Sequence, residues 1–338
     1  MTTPLPTTSP DKAALLARIV DVAHRGTRFL LTSHARPDGD SVGSQVALAL
    51  ALRALGKHAR MVNRDVPPAP YLDFEGVRDI EVAPSVEGGD YDALFVMECG
   101  DLSRPGVAGL DRYRVINIDH HLGNSGYGEV NWFDSTYAAC AEMVIEVIDA
   151  LGVPLSHGMA SALYLGIVTD TGSFRHAGTS ARTFEVCRRI AEAGVDPARM
   201  ARQVFDSSTI GKLRLMGTML DGMRLEGDGR LAVLSVDNAT MAHTGATVDD
   251  LEGLINIPLQ VRQVEAVVMF KETPDGELRV SARSKGAIDV RAVAASYGGG
   301  GHVNAAGFDA PGRDAASRAE VVARVAEAIA KTGPRARP

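Results

Sequence analysis

Four groups of titratable side chains stand at the ends of apolar runs, and their types are those that bind divalent metals. The stretch HARPDGDSVGS carries His34, Asp38 and Asp40 directly after Phe29-Leu30-Leu31-Thr32. Glu98 ends the run DALFVME, with Asp101 three residues further on, and Asp119, His120 and His121 close the run RVINID. Asp170 follows ALYLGIV in the stretch TDTGSF. Like charges crowded so closely repel, lose solvation and add nothing to a core, so a positive ion among them is expected. Carboxylates mixed with imidazoles suit Mn²⁺, and two such ions about 3.5–4 Å apart form a clamp for attack of water on phosphorus. A carboxylate shared between the ions completes that arrangement.

Such residues act together only if the fold converges them. The runs RFLLT, ARMVN, DALFVME and RVINID are short and apolar, as buried parallel strands are, and helical patterns occupy about 12–25, 41–55 and 136–151. Two more helices are expected at 156–168 and 180–194, the second stopped by Gly194. This alternation predicts an α/β fold with a parallel sheet, in which ligands sit outside the carboxyl ends of the strands. The acids and histidines above occupy those ends. Residues 195–228 read as a connector with helical character, and the strands LAVLSVD, VEAVVMFKE and LRVSARSK that follow predict a second, smaller α+β domain. The expected division is 12–194, 195–228 and 229–335.

The second domain carries its own polar motif. GGGG at 298–301 is followed by His302, and the small residues around it suit close backbone approach, so that Gly299, Gly300 and Gly301 let a phosphate or sugar lie against main-chain N–H groups. Arg283, with Ser284 and Lys285 beside it, offers a planar fork suited to phosphate.

Composition narrows the classes. The chain has 338 residues, 45% of them apolar and 23% charged, with a formal charge of −7. That charge argues against a protein coating long nucleic acid and leaves room for a small anion in a cleft. No apolar run approaches the roughly 18 residues a membrane span requires, and the opening MTTPLPTTSPDK has no basic segment before an apolar core. Cys99, Cys140 and Cys187 form no CxxC pair, which predicts neither a disulfide framework nor a thiolate zinc site and fits a reducing cytoplasm. His24, His58, His157 and His243 read as surface or capping residues, and His176 as a structural residue close after Asp170.

HARPDGDSVGSQ, IDHH, GIVTDTGSF and GGGGHVNAAG together resemble the active-site motifs and the C-terminal glycine motif of the DHH/DHHA1 phosphoesterases. Within that family the chain is most similar to the nanoRNase type, bacterial oligoribonucleases that also remove the 3′-phosphate from 3′-phosphoadenosine 5′-phosphate (pAp). The resemblance implies a DHH catalytic domain, a DHHA1 substrate-binding domain and an active site in the cleft between them. It implies two Mn²⁺, with Mg²⁺ or Co²⁺ as substitutes, one held by His34 and Asp38 and the other by Asp40, His120 and Asp170. The bridging carboxylate falls on Glu98, where the family mostly has Asp; Asp101 is the alternative. His121 would face the substrate phosphate, Asp119 would orient an imidazole, and Arg283, Ser284, Gly299, Gly300, Gly301 and His302 would grip the substrate. The implied partners are short RNA of about two to five nucleotides, pAp, and short DNA or linear dinucleotides, with no membrane and a homodimer left open. A RecJ-like single-strand DNA exonuclease, a cyclic-dinucleotide phosphodiesterase and a nucleotide-sensing protein without activity are the rival readings.

Overall fold

Each apolar run of the first half becomes a buried parallel strand. In the computed structural model the described residues are 11–332 without Ala177, Ser207, Glu252 and Pro274, and the side chain of His302 also lies outside the described set. Two compact units divide between residues 207 and 208. The first contains α1 (Lys12–Arg25), β1 (Arg28–Thr32), α2 (Gly39–Ala54), β2 (His58–Asn63), β3 (Glu81–Val82), β4 (Ala93–Met97), β5 (Val115–Asp119) and β6 (Val130–Phe133). It continues through α3 (Cys140–Ala150), α4 (His157–Asp170), α5 (Ala181–Glu192) and α6 (Pro197–Phe205).

The six strands pair in the order β3-β2-β1-β4-β5-β6, all neighbours parallel. Between β1 and β4 the winding reverses direction, which opens a crevice at the carboxyl ends of those two strands. One sheet face, with Phe29, Leu31, Phe95 and Met97, packs on helical residues such as Val46, Leu163 and Ile190. The other face, with Leu30, Leu94 and Val96, is covered by loop residues including Val86, Val107 and Leu110. β4, apolar on both faces, is buried throughout, and so is β5, where Ile116 and Ile118 alternate with hydrogen-bonded Asn117 and Asp119.

Helices α2 and α4 are apolar on nearly all sides and correspondingly enclosed. Their axes approach closely because glycines line the contact. A Cβ on Gly43 would lie 2.2 Å from the Ala162 carbonyl oxygen, and one on Gly166 would lie 2.6 Å from Asp40 Oδ1. The helix pair therefore sets the depth at which Asp40 and Asp170 sit.

The second unit comprises α7 (Ile210–Asp221), β7 (Arg224–Glu226), β8 (Leu231–Val236), α8 (Asn238–Thr244), β9 (Ala266–Glu272) and β10 (Leu278–Ser284). After these come α9 (Val290–Ala295), β11 (Gly300–His302), β12 (Ala305–Asp309) and α10 (Ala315–Lys331). Its sheet runs β11-β12-β10-β9-β8-β7, with β8 and β9 parallel and the other neighbours antiparallel. Val321, Val325 and Ile329 of α10 and Val293 of α9 join one core cluster of this unit; Leu215 and Met219 of α7 join the other. Of the residues read as a connector, α6 contributes Met200 and Val204 to the first unit's core, and α7 belongs to the second.

Gly43→Ala should destabilise the first unit by about 1–3 kcal/mol, because the added methyl meets main-chain atoms of α4 that cannot rotate away. Denaturant unfolding of the full chain checks this, and an unchanged midpoint would contradict it.

Candidate active site

Asp38 and Asp40 share a short loop and perform different work. Asp38 caps α2, its Oδ1 accepting the Ser41 N–H at 2.9 Å, and its exposed Oδ2 lies 3.5 Å from His34 Nε2. The buried His34 has Nδ1 3.0 Å from the Ala35 carbonyl. A carbonyl only accepts, so Nδ1 carries a hydrogen and Nε2 is the ring atom left to face Asp38. Burial works against both charges, but each stabilises the other; Asp38 falls to about 2 and His34 rises. Asp40 is almost fully buried. The N–H groups of Cys140 and Ala141, at the start of α3, donate to its Oδ2 and Oδ1 at 2.6 and 2.9 Å, and Ser44 donates to Oδ1. The helix end favours a carboxylate there, yet burial and the neighbouring charges of Glu98 and Asp170 push Asp40 well above the usual range.

Glu98 follows β4 directly and is only 1% exposed. Its φ of 62° is left-handed, a region that costs a non-glycine residue about 1–3 kcal/mol and that is retained mainly where function needs it. Glu98 Oε1 lies 3.5 Å from His120 Nε2, and Oε2 lies 3.4 Å from His121 Nδ1. The His120 Nδ1–H is donated to the Tyr137 carbonyl at 3.1 Å, which aims Nε2 into the cluster. There Nε2 faces Asp170 Oδ2 at 3.4 Å and Asp40 Oδ2 at 3.9 Å.

These atoms converge without bonding one another. Glu98 Oε1 and His120 Nε2 are both buried and have no hydrogen-bond partner. Two sets, Glu98 with His120 and His121, and Asp40 with His120 and Asp170, bring potential ligand atoms within 4.8 Å of one another. Oxygen and imidazole donors pointed at a common volume fit divalent metals. With protons as the sole countercharge, burial lowers His120 but the three carboxylates outweigh it and hold it at about 11. Asp170 is raised to about 6 by burial, against the pull of His120.

Asp101 stands apart from this cluster. It is exposed, and its Oδ1 accepts the Ser103 N–H at 2.9 Å, which makes it an anchor of the loop after β4. His176 packs at the cluster's edge, its Nδ1 2.8 Å from the Asp170 carbonyl.

Behind His121 stands a hydrogen-bond relay that sequence reading did not find beyond Asp119. Asp119 Oδ1 accepts from His121 Nδ1 at 2.9 Å, and its Oδ2 accepts from Asn124 Nδ2 at 2.7 Å. Asn117 in turn donates to the Tyr127 hydroxyl and to the Cys99 carbonyl. Burial opposes the Asp119 charge, but His121 and Asn124 hold it below the usual range. His121 is opposed by burial and raised by Asp119 and Glu98. The only legible signals were the Asn residues in NID and LGNSG, residue types common in loops.

Three exposed arginines, Arg36, Arg64 and Arg104, follow β1, β2 and β4, and among the described residues their guanidinium groups make no ion pair. The Ala35 N–H donates to the Arg104 carbonyl, and the Arg64 stem lies beside Gly106 and Ala35.

In the second unit, half-buried Arg283 on β10 also lacks an acidic partner, and burial lowers its pKa. The Ser284 hydroxyl is engaged internally, donating to the Ile288 carbonyl at 2.6 Å and accepting from Asn304 at 2.8 Å. The glycine tract ends in edge strand β11. Gly299 and Gly301 are needed by β12, since a Cβ on either would lie 2.4 Å from a β12 carbonyl oxygen, whereas Gly300 faces open space. His302 belongs to β11, and its side chain lies outside the described set.

Residues 28–167 match the DHH family, N-terminal domain, and residues 228–331 match the DHHA1 domain. The chain is 33% identical to the bifunctional oligoribonuclease and PAP phosphatase NrnA of Thermus thermophilus, over 94% of both chains. The chain belongs to the DHH family. As a DHH protein it is a hydrolase of the phosphoesterase class. The bifunctional oligoribonuclease and PAP phosphatase NrnA of Bacillus subtilis is 27% identical to this DHH chain over 86% of its length and 91% of the relative's. An exopolyphosphatase-related protein from Bacteroides fragilis shares the fold with a TM-score of 0.84 at 23% identity, covering 94% of this chain and 97% of its own. RecJ from Thermus thermophilus in complex with Mn²⁺ does so with a TM-score of 0.54 at 16% identity, covering 97% of this chain and 56% of its own. Among the described residues no helix is long and apolar enough to cross a membrane.

Asp119→Asn removes the charge that raises His121, so the His121 pKa should fall. An NMR pH titration of the metal-free chain reads this directly, and an unmoved His121 would contradict the pairing.

Proposed function

We propose that this DHH protein is a divalent-metal-dependent phosphodiesterase that degrades very short RNA to nucleoside 5′-monophosphates and also removes the 3′-phosphate of pAp. The observation that carries the metal dependence is the convergence of Glu98 Oε1 and His120 Nε2, buried and unpartnered, on the volume shared with Asp40 and Asp170. The names of the NrnA relatives support the substrates.

His34 and Asp38 would hold one ion, Asp40, His120 and Asp170 the other, and Glu98 would serve both. Such ions, when bound, polarise a phosphoryl group and make water acidic enough to act as a nucleophile near neutral pH. Mn²⁺ fits the mixed oxygen and imidazole donors best, with Mg²⁺ or Co²⁺ as substitutes. The remaining work falls to the chain. Asp119 holds His121 through Nδ1 and favours its cationic form, and in that form Nε2 would carry a proton to donate to a phosphoryl oxygen as negative charge grows there. Arg36, Arg64 and Arg104 would draw phosphates toward the carboxyl ends of β1, β2 and β4, which offsets the acidic overall charge locally. Within the second unit, Arg283 and Gly300, whose Cβ direction faces open space, would bind a phosphate or sugar. The three free cysteines fit a cytoplasmic setting.

After dialysis against EDTA the chain should be inactive, with Mn²⁺ restoring more activity than Mg²⁺. A dinucleotide, a pentanucleotide and pAp should all be cleaved faster than a twentymer; full activity in excess chelator would end this reading. Glu98→Gln should lower kcat by roughly 10²–10³, whereas Asp101→Asn should leave it roughly unchanged. The opposite ranking would transfer the shared-ligand role to Asp101.

A further inference from the structure

The turn between β6 and α3 touches the cluster at two points. The Tyr137 carbonyl accepts the His120 Nδ1–H, and the amides of Cys140 and Ala141 hold Asp40. Both residues therefore depend on where residues 137–141 lie. One of the anchors of that turn is the buried ring of Tyr137.

The ring is gripped from several sides. Trp132 meets it edge-on at 6.0 Å, and Lys12 of α1 donates to its hydroxyl at 2.7 Å, which itself donates to Glu146 Oε1 at 2.7 Å. Arg182, in the first turn of α5, places its guanidinium 3.8 Å from the ring centre. No acid lies within ion-pair distance of Arg182 among the described residues, and its Nη1 is buried without a hydrogen-bond partner. A buried guanidinium atom left unpaired is unfavourable, and the contact over the ring offsets part of that cost. Nearby Glu142 is buried as well, with Oε2 3.4 Å from the Ala138 N–H and Oε1 unpartnered. The arginine charge beside it helps keep that turn in place.

We propose that Arg182 is a positioning residue for the metal centre, acting through the Tyr137 ring to hold the turn that orients His120 and anchors Asp40. The proposal rests on the metal-dependent reading above. Among the described residues Arg182 makes no hydrogen bond or ion pair to the proposed metal ligands, so its effect should appear in metal affinity and be confined to the ion that His120 and Asp40 would hold.

Calorimetric titration of Mn²⁺ into the metal-stripped full chain tests it, with melting temperature of the metal-free protein measured in parallel. The wild type should bind in two steps, and Asp170→Asn identifies the step that uses His120 and Asp40. Arg182→Ala should weaken that step by about tenfold and leave the other unchanged, while the metal-free melting temperature falls by only a few degrees. Arg182→Lys keeps the charge and loses the planar stack, so it should weaken the same step, and it carries the test if the alanine variant does not fold. Wild-type affinity at both steps in the variants that fold, or equal weakening of both steps, would overturn the proposal. A wild-type chain that binds no Mn²⁺ would instead overturn the metal-dependent reading, and this proposal with it.

Discussion

Repulsion among buried carboxylates is the constraint on which the first unit is built. Asp40 and Glu98 are each about 1% exposed, and Asp170 stands with them around one imidazole. Removing such charges from water is expensive unless something positive compensates. With protons as the compensating charge, His120 is held at about 11 and Asp40 is pushed well above the normal carboxylate range. Divalent cations would meet the same demand more directly, and every neighbouring element can be understood by how it keeps the acids together.

The parallel sheet brings the ends of β1, β4 and β5 side by side, and the reversal between β1 and β4 leaves room at those ends. Two helix contacts then set the depth. The first turn of α3 supplies amides to Asp40, and the glycine-lined contact of α2 with α4 admits Asp40 beside Gly166. Glu98 adapts in another way. A glutamate is one methylene longer than an aspartate at the same strand end, and here the backbone turns left-handed at φ 62°.

Much of this was legible because strand ends announce themselves. RFLLT, DALFVME and RVINID are continuous apolar runs, so their last residues, and hence His34, Glu98 and Asp119-His120-His121, could be located without coordinates. Glu98 rather than Asp101 enters the cluster for that reason, since a strand end fixes direction and a following loop does not. The edge strands β3, β6, β7 and β11 escaped notice because they are short and carry no sustained pattern. The glycine tract shows a different limit. Its composition suggested ligand contact, yet Gly299 and Gly301 also satisfy the close approach of β12, a demand invisible until the strands are paired. Supporting residues were the least legible. Asn124 acts through a side chain and Tyr137 through its carbonyl, and neither role depends on a spacing that a sequence displays.

Anomalous diffraction from crystals grown with Mn²⁺ measures the central point most directly. Two peaks should appear, one against His34 and Asp38 and one against Asp40, His120 and Asp170, with Glu98 in reach of both. A single peak remote from Glu98, or none in this cluster at saturating Mn²⁺, would contradict the view that the buried acids are gathered to hold a pair of divalent ions.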